Sequence, residues 1–355
     1  MRQYYIKTLI SSLLLLPMLL KAQVGGTHTY AFLDLTNSAR IASLGGKMVS
    51  VYDDDLNLPY FNPSLLNPQM DSHVVLNYVN YFTDINYGYA SYAKNYQGIG
   101  TFAAGLHYIN YGTFTAADET GLITGSFKAS EYALNLMYSR EIDSSFTIGI
   151  NMKPIYSALE NYQSYGLATD IGLTYHTRDQ LFIASLVLRN VGFQFKSYYN
   201  TSRESIPFEI EAGVSQRLQF APFRFMLTLQ QLQQPDLTYT LPDNQQKLDP
   251  ITGLPVKNPP LSVLSDKILR HMIFGVEFIP IKSFFFRAGL NYERRKELMI
   301  ETQPGMVGFS WGFGLKISKF QLSYGRATYH MAGASNHFSI NVNLSEFIRK
   351  NEVSE

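Results

Sequence analysis

The chain has 355 residues, 16% of them charged, with 25 Tyr, 24 Phe, a single Trp and a formal net charge of +1. A soluble domain carries roughly 25% charged residues, so this composition exposes apolar surface to something other than water. Yet mean hydropathy is −0.08 and no run of about 18 apolar residues follows the N-terminus, which excludes helical membrane spans.

Cysteine is absent, excluding disulfides, thiolate metal sites and a lipid-anchor cysteine. Residues 1–22 combine basic Arg2 and Lys7, an apolar stretch from Leu9 to Leu20, and the small Ala22. They read as a cleavable signal peptide, since that stretch is too short to cross a bilayer. Without Arg2, Lys7 and Lys21 the 29 basic residues fall to 26 against 28 acids, a net of −2 that argues against a nucleic-acid partner.

Residues 23–72 do not alternate. They hold the pairs Gly25–Gly26 and Gly45–Gly46, a predicted short helix over Ser38–Leu44, and turns at Pro59, Pro63 and Pro68. Phe32, Leu33, Leu35, Leu44, Tyr60, Phe61, Leu65 and Leu66 are too apolar for a flexible leader, so the segment is expected to be a plug, or hatch, inside a lumen. Asp53, Asp54, Asp55 and Asn57 lack the glycine and glutamate of a calcium loop and read as a carboxylate-rich turn.

From His73 to Leu344 apolar residues alternate with small or polar ones, the period of a wall with lipid on one face and a lumen on the other. Between Val307 and Ile317, for example, Val307, Phe309, Trp311, Phe313 and Leu315 share one face, while Gly308, Ser310, Gly312, Gly314 and Lys316 share the other. Fourteen strands are predicted: 73–82, 86–95, 100–110, 127–140, 145–156, 165–176, 181–189, 208–218, 222–232, 268–279, 283–293, 307–317, 319–328 and 336–344. Connections alternate between tight turns and longer loops, as in an outer-membrane β-barrel with periplasmic turns and external loops. Residues 345–355 would be a periplasmic tail.

Pro154 interrupts its strand and marks either a wall opening or the point where the strand leaves the bilayer. Six prolines keep 233–267 out of the wall; Leu261, Leu264 and Ile268 have helical spacing, so this loop ends either in a short helix capping the mouth or in solvated coil. Gly308–Gly312 matches a nucleophile elbow in the wrong setting, because Ser310 falls inside a strand. Glu209 and Glu211 share a strand face without a visible partner. His107, His271 and His337 read as lumen-facing or satisfied. No enzyme and no metal or cofactor site is expected.

Several stretches carry a resemblance: YAFLDLTNSARIASLGG (Tyr30–Gly46), DDDLN (Asp53–Asn57), NPSLLNP (Asn62–Pro68), Asn77–Tyr87, Gly105–Gly112, KPIYS (Lys153–Ser157), RNVG (Arg189–Gly192) and Ala221–Phe225. In this order and spacing the chain resembles the PorQ family of the type IX secretion apparatus of Bacteroidetes, related to PorV and to FadL-like barrels. The resemblance implies a fourteen-stranded barrel with an N-terminal hatch that includes Gly45, Gly46, Asn62 and Pro63. It also implies a non-enzymatic part in attaching secreted cargo to lipopolysaccharide, with a PorZ-like surface protein, the sortase PorU and the barrel PorV as partners. Loops 190–207 and 233–267 are the expected docking loops, the latter through Asp236, Tyr239, Asp243 and Leu254. The alternative is a FadL-like transporter of hydrophobic small molecules.

Overall fold

The computed structural model describes residues 28–199, 203–238, 259–299, 305–330 and 333–348. The signal segment 1–22, Tyr239, Asp243 and Leu254 lie outside the described residues, as does the tail beyond Ile348.

The described residues form one closed antiparallel sheet. Its strands are β1 (His73–Asn80), β2 (Asn86–Tyr96), β3 (Gly100–Ala117), β4 (Ile123–Glu141), β5 (Phe146–Leu159), β6 (Tyr162–His176), β7 (Phe182–Lys196), β8 (Glu209–Arg217), β9 (Phe223–Leu229), β10 (Met272–Ile281), β11 (Phe284–Asn291), β12 (Phe309–Ile317), β13 (Phe320–His330) and β14 (Gly333–Asn343). Each pairs with its neighbours in sequence, and β1 closes on β14 from His73↔Asn343 to Asn80↔Asn336. Closure gives every strand two hydrogen-bonded neighbours, the condition for a sheet to cross hydrocarbon.

The wall is inside out relative to a soluble protein. On β5, Phe146, Ile148, Ile150 and Met152 are exposed, while Thr147, Asn151 and Lys153 are buried inward. Aromatic rows mark the limits of the apolar band. Tyr108, Tyr132, Tyr156 and Tyr165 stand side by side across β3 to β6, and Phe102–Tyr138 and Phe146–Tyr175 form the opposite row. From Phe146 to Tyr156 is a ten-residue step. At about 3.3 Å per residue and a tilt near 40° this spans about 25 Å, the height of an outer-membrane barrel's apolar band.

All fourteen predicted strands are present, with shifted ends. Segments 111–126, 157–164 and 329–335, expected as loops, are largely ladder: β3 runs to Ala117, β5 and β6 meet over two residues, and β13 and β14 nearly touch. Above the Tyr row a strand no longer separates lipid from lumen, so the sequence period fades while hydrogen bonding continues. In the other direction, residues 268–271 belong to helix α2 (Pro260–Arg270) and its end, and 292–293 to helix α3 (Tyr292–Leu298), rather than to strands. The apolar stripe of α2 points away from the protein, so this helix does not seal the mouth with its apolar side.

Candidate functional site: the hatch and the lumen

Residues 28–72 lie inside the sheet. Leu33, Ile41, Val49, Val51, Leu56, Leu58, Tyr60, Phe61 and Leu65 are fully buried, packed against inward residues such as Val75, Tyr89 and Val187. The expected short helix is α1 (Ala39–Ser43), preceded by a 3-10 turn at Ala31–Asp34 and followed by three more at Leu58–Tyr60, Pro63–Leu65 and Pro68–Met70. The Asn-Pro repeats explain the last two turns. Asn62 and Asn67 accept hydrogen bonds from the Ser64 and Gln69 amides, and each following proline starts its turn with φ already set.

Close approach to the wall depends on inward-facing glycines. A Cβ at Gly325 would lie 2.2 Å from the Ala39 oxygen, and one at Gly289 2.3 Å from the Leu44 carbonyl carbon. Of the glycine face seen in the 307–317 sequence, Gly312 lies under α1, where a Cβ would come 2.7 Å from Ser43 Cβ, while Gly314 makes room for Arg287. The wall also supplies the helix cap, since the Ala39 amide donates to Ser339 Oγ at 2.9 Å. Gly45 and Gly46 adopt φ of +101° and +102°, which turn the chain sharply after α1. Asn62 ties the hatch to itself and to β6, its Nδ2 donating to Val49 O at 2.7 Å and Thr174 Oγ1 at 3.1 Å. Pro63 rests on the backbone of Gly149.

Two ionic clusters fix the hatch. In the short-turn half, Glu277 faces Arg224 and Arg287 on its two neighbouring strands. Arg40 of α1 completes the set, at 2.9 Å from Glu277, 2.8 Å from Asp53 and 3.2 Å from Asp55. Arg224 reaches Asp53 at 3.0 Å and Glu277 at 2.9 Å, and Arg287 reaches Glu277 at 2.9 Å. The carboxylate-rich turn is thus the counter-charge of a buried guanidinium.

The second cluster lies toward the long-loop end. Asn190 has φ of +54° in a bulge where Arg189 and Asn190 together oppose Asp170, so both side chains turn inward. Lys153 lies 2.6 Å from Asp170 and 2.8 Å from Asn190 Oδ1. Arg189 lies 3.1 Å from Glu211 and donates to the Leu33 carbonyl of the hatch at the same distance. Lys47 of the hatch bonds Glu209 and lies 3.4 Å from Glu211. Glu209 and Glu211 therefore do have partners, which the sequence could not reveal. The KPIYS and RNVG stretches meet at this cluster. It opens onto a cleft of about 180 Å³ lined by His28, Asp34, Lys47, Glu209, Gln231 and Gln233, among others.

Of the remaining candidates, His107 bonds Tyr60, His337 bonds Ser335 and His271 bonds the Gln230 carbonyl. Ser310 faces inward as the second residue of β12, with the strand continuing to Ile317 and no strand-to-helix turn after it. Pro154 is paired with Leu167 on β6; toward β4 the ladder steps from Ala133↔Ile155 to Leu136↔Met152 without a change of register. Its ring faces outward, two residues inside the Tyr156 row. At the long-loop rim, hydrogen bonds from Lys267 and Thr238 hold the Asp236 carboxyl down at about 2. Burial, then the nearby Glu297 carboxylate, pushes Glu293 on α3 up to about 7.

No protein-family model matches the sequence, and no curated protein matches it. Solved structures do. The toluene transporter TbuX of Ralstonia pickettii superposes with a TM-score of 0.51 at 11% identity, over 87% of this chain and 97% of its own. The toluene transporter TodX of Pseudomonas putida gives 0.50 at 13%, over 87% and 97%. A FadL homologue of Pseudomonas aeruginosa gives 0.46 at 10%, over 87% and 99%. At these identities the likeness concerns the fold alone. That fold is a closed fourteen-stranded outer-membrane barrel of the FadL-like kind.

Proposed function

We propose that the protein, exported by its signal peptide, is a closed outer-membrane barrel that anchors a surface partner through its long-loop end, as a non-enzymatic component of a protein-secretion apparatus. The observation that carries this reading is the hatch tied to the wall at two levels by buried ion pairs. Removing one partner of such a pair costs about 3–5 kcal/mol, so moving the hatch for each passing solute would be expensive. The sequence resemblance supplies the apparatus: type IX secretion, with a PorZ-like surface protein, PorU and PorV as partners in attaching cargo to lipopolysaccharide.

The second reading is passage of hydrophobic small molecules across the outer membrane. The folds of TbuX and TodX favour it over the first, since both matched proteins are toluene transporters. One pair of measurements separates the two. Deleting the gene abolishes surface display of secreted cargo under the first reading, with the partner recovered on the barrel from detergent-solubilised membranes. Unchanged display, together with slowed toluene uptake, overturns it in favour of the second.

A further inference from the structure

Helix α2 has its polarity reversed. Asp266 and Arg270 turn toward the protein: Asp266 accepts from Tyr292 at 3.0 Å and from Arg270 at 2.9 Å, and Arg270 donates to the Leu237 carbonyl at 3.2 Å. On the opposite side Leu261, Leu264 and Ile268 are 78%, 55% and 48% exposed. In a helix lying on a protein in water the apolar stripe faces the core. Here it faces away, as the apolar side chains of the barrel wall do.

The wall beside the helix explains why. β9 (Phe223–Leu229), which leads into this connection, has seven residues, against eighteen and nineteen in β3 and β4. The continuous outward row on β9 runs from Phe223 to Leu229, about 15 Å along the membrane normal at the usual rise and tilt, and past the left-handed Gln231 a single further apolar side chain, Leu232, is exposed. The apolar band needs about 25 Å. A helix is about 10 Å across, so one set in the interface plane at the end of these strands has the size that supplies the difference. α2 enters β10 through His271 alone, which sets it at the Met272 end of that strand.

We infer that α2 completes the lipid-facing surface on the thin side of the barrel, with Leu261, Leu264 and Ile268 seated among the acyl chains of the bilayer. The contact continues the wall's own lipid interface and holds under either functional reading.

The test places a tryptophan on the stripe. The single native one, Trp311, already faces outward, so L264W is made in a W311F background and reconstituted in phosphatidylcholine vesicles with bromines on the acyl chains. Quenching at least half as strong as that of Trp311 in the unmodified protein is the expected result, with acrylamide quenching reduced at least twofold relative to tryptophan at Thr120 of the exposed β3–β4 tip. Strong acrylamide quenching without bromine quenching overturns the inference by placing the stripe in water. Weak quenching by both overturns it by placing the stripe against protein. As a second variant, L261S/L264S/I268S in the W311F background keeps heat-modifiable gel mobility, which shows a folded wall, and a probe tryptophan at Ser265, which borders the stripe and is exposed, loses at least half of its bromine quenching; unchanged quenching contradicts the inference.

Discussion

The two ionic clusters of the lumen do the same job with different margins. The short-turn cluster balances three guanidiniums, Arg40, Arg224 and Arg287, against three carboxylates, Asp53, Asp55 and Glu277, and Glu277 is fully buried. The long-loop cluster sets Lys47, Lys153 and Arg189 against Asp34, Asp170, Glu209 and Glu211, one carboxylate in excess, and it borders an open cleft. The first is a closed lock and the second a lock with a wet edge. Buried pairs punish loss of a member more than partly solvated ones, so the two should respond differently to the same kind of mutation.

The largest effect is expected at Glu277. E277Q leaves three buried guanidiniums facing two carboxylates and should destabilise the barrel by about 3–5 kcal/mol, read from the urea midpoint of its heat-modifiable gel band. A change under 1 kcal/mol would remove the distinction between the clusters. R40M should act on the hatch more than on the wall: the barrel band persists while limited proteolysis cuts within 28–72.

K47M is the matched test at the wet edge, where Glu209 and Glu211 keep Arg189 and water can enter. Its expected cost is about 1–3 kcal/mol, and a loss equal to that of E277Q would break the comparison. Next comes steric fit. G325A drives a methyl group into the Ala39 carbonyl and should cost about 1–3 kcal/mol by overpacking. G98A, at a turn with nothing near the added Cβ but with φ of +79°, carries backbone strain alone and is the control.

The smallest effect is pH-dependent. Because the folded carboxyl of Glu293 titrates at about 7, above its ordinary range, its neutral form is the one folding favours. Its stabilising contribution is therefore full in acid and lost as pH rises toward 7 and beyond. At pH 8, E293Q should slow hydrogen exchange across α3 a few-fold relative to the parent, with no difference at pH 4.5. Equal exchange at both pH values would show that Gln230 and Gln231, whose amides donate to Glu293, hold the rim unaided.

Much of the wall was legible in the sequence because lipid and lumen impose opposite demands on adjacent residues. β12 is the clear case, predicted over 307–317 and found at Phe309–Ile317. Legibility stopped where that opposition stops, as in the upper halves of β3 and β4. The hatch could be placed by its apolar residues and Asn-Pro turns, but its contacts could not. Lys47 and Glu209 are 162 positions apart, and nothing local to either marks the pair. A usable signal was present in part: Lys153, Arg189, Arg224, Glu277 and Arg287 all occupy inward positions of membrane strands, where an unpaired charge is not tolerated. The glycines of 307–317 were visible as a pattern, though their separate reasons, α1 lying on Gly312 and the Arg287 side chain on Gly314, were not.

Hydrogen exchange on the reconstituted barrel tests most directly whether the hatch belongs to the fixed structure. Amides of Leu33, Leu44 and Leu65 should exchange as slowly as those of β5 and β6, within about tenfold. If they exchange in seconds while the strands stay protected, the hatch is a mobile element and the account of a locked lumen is wrong.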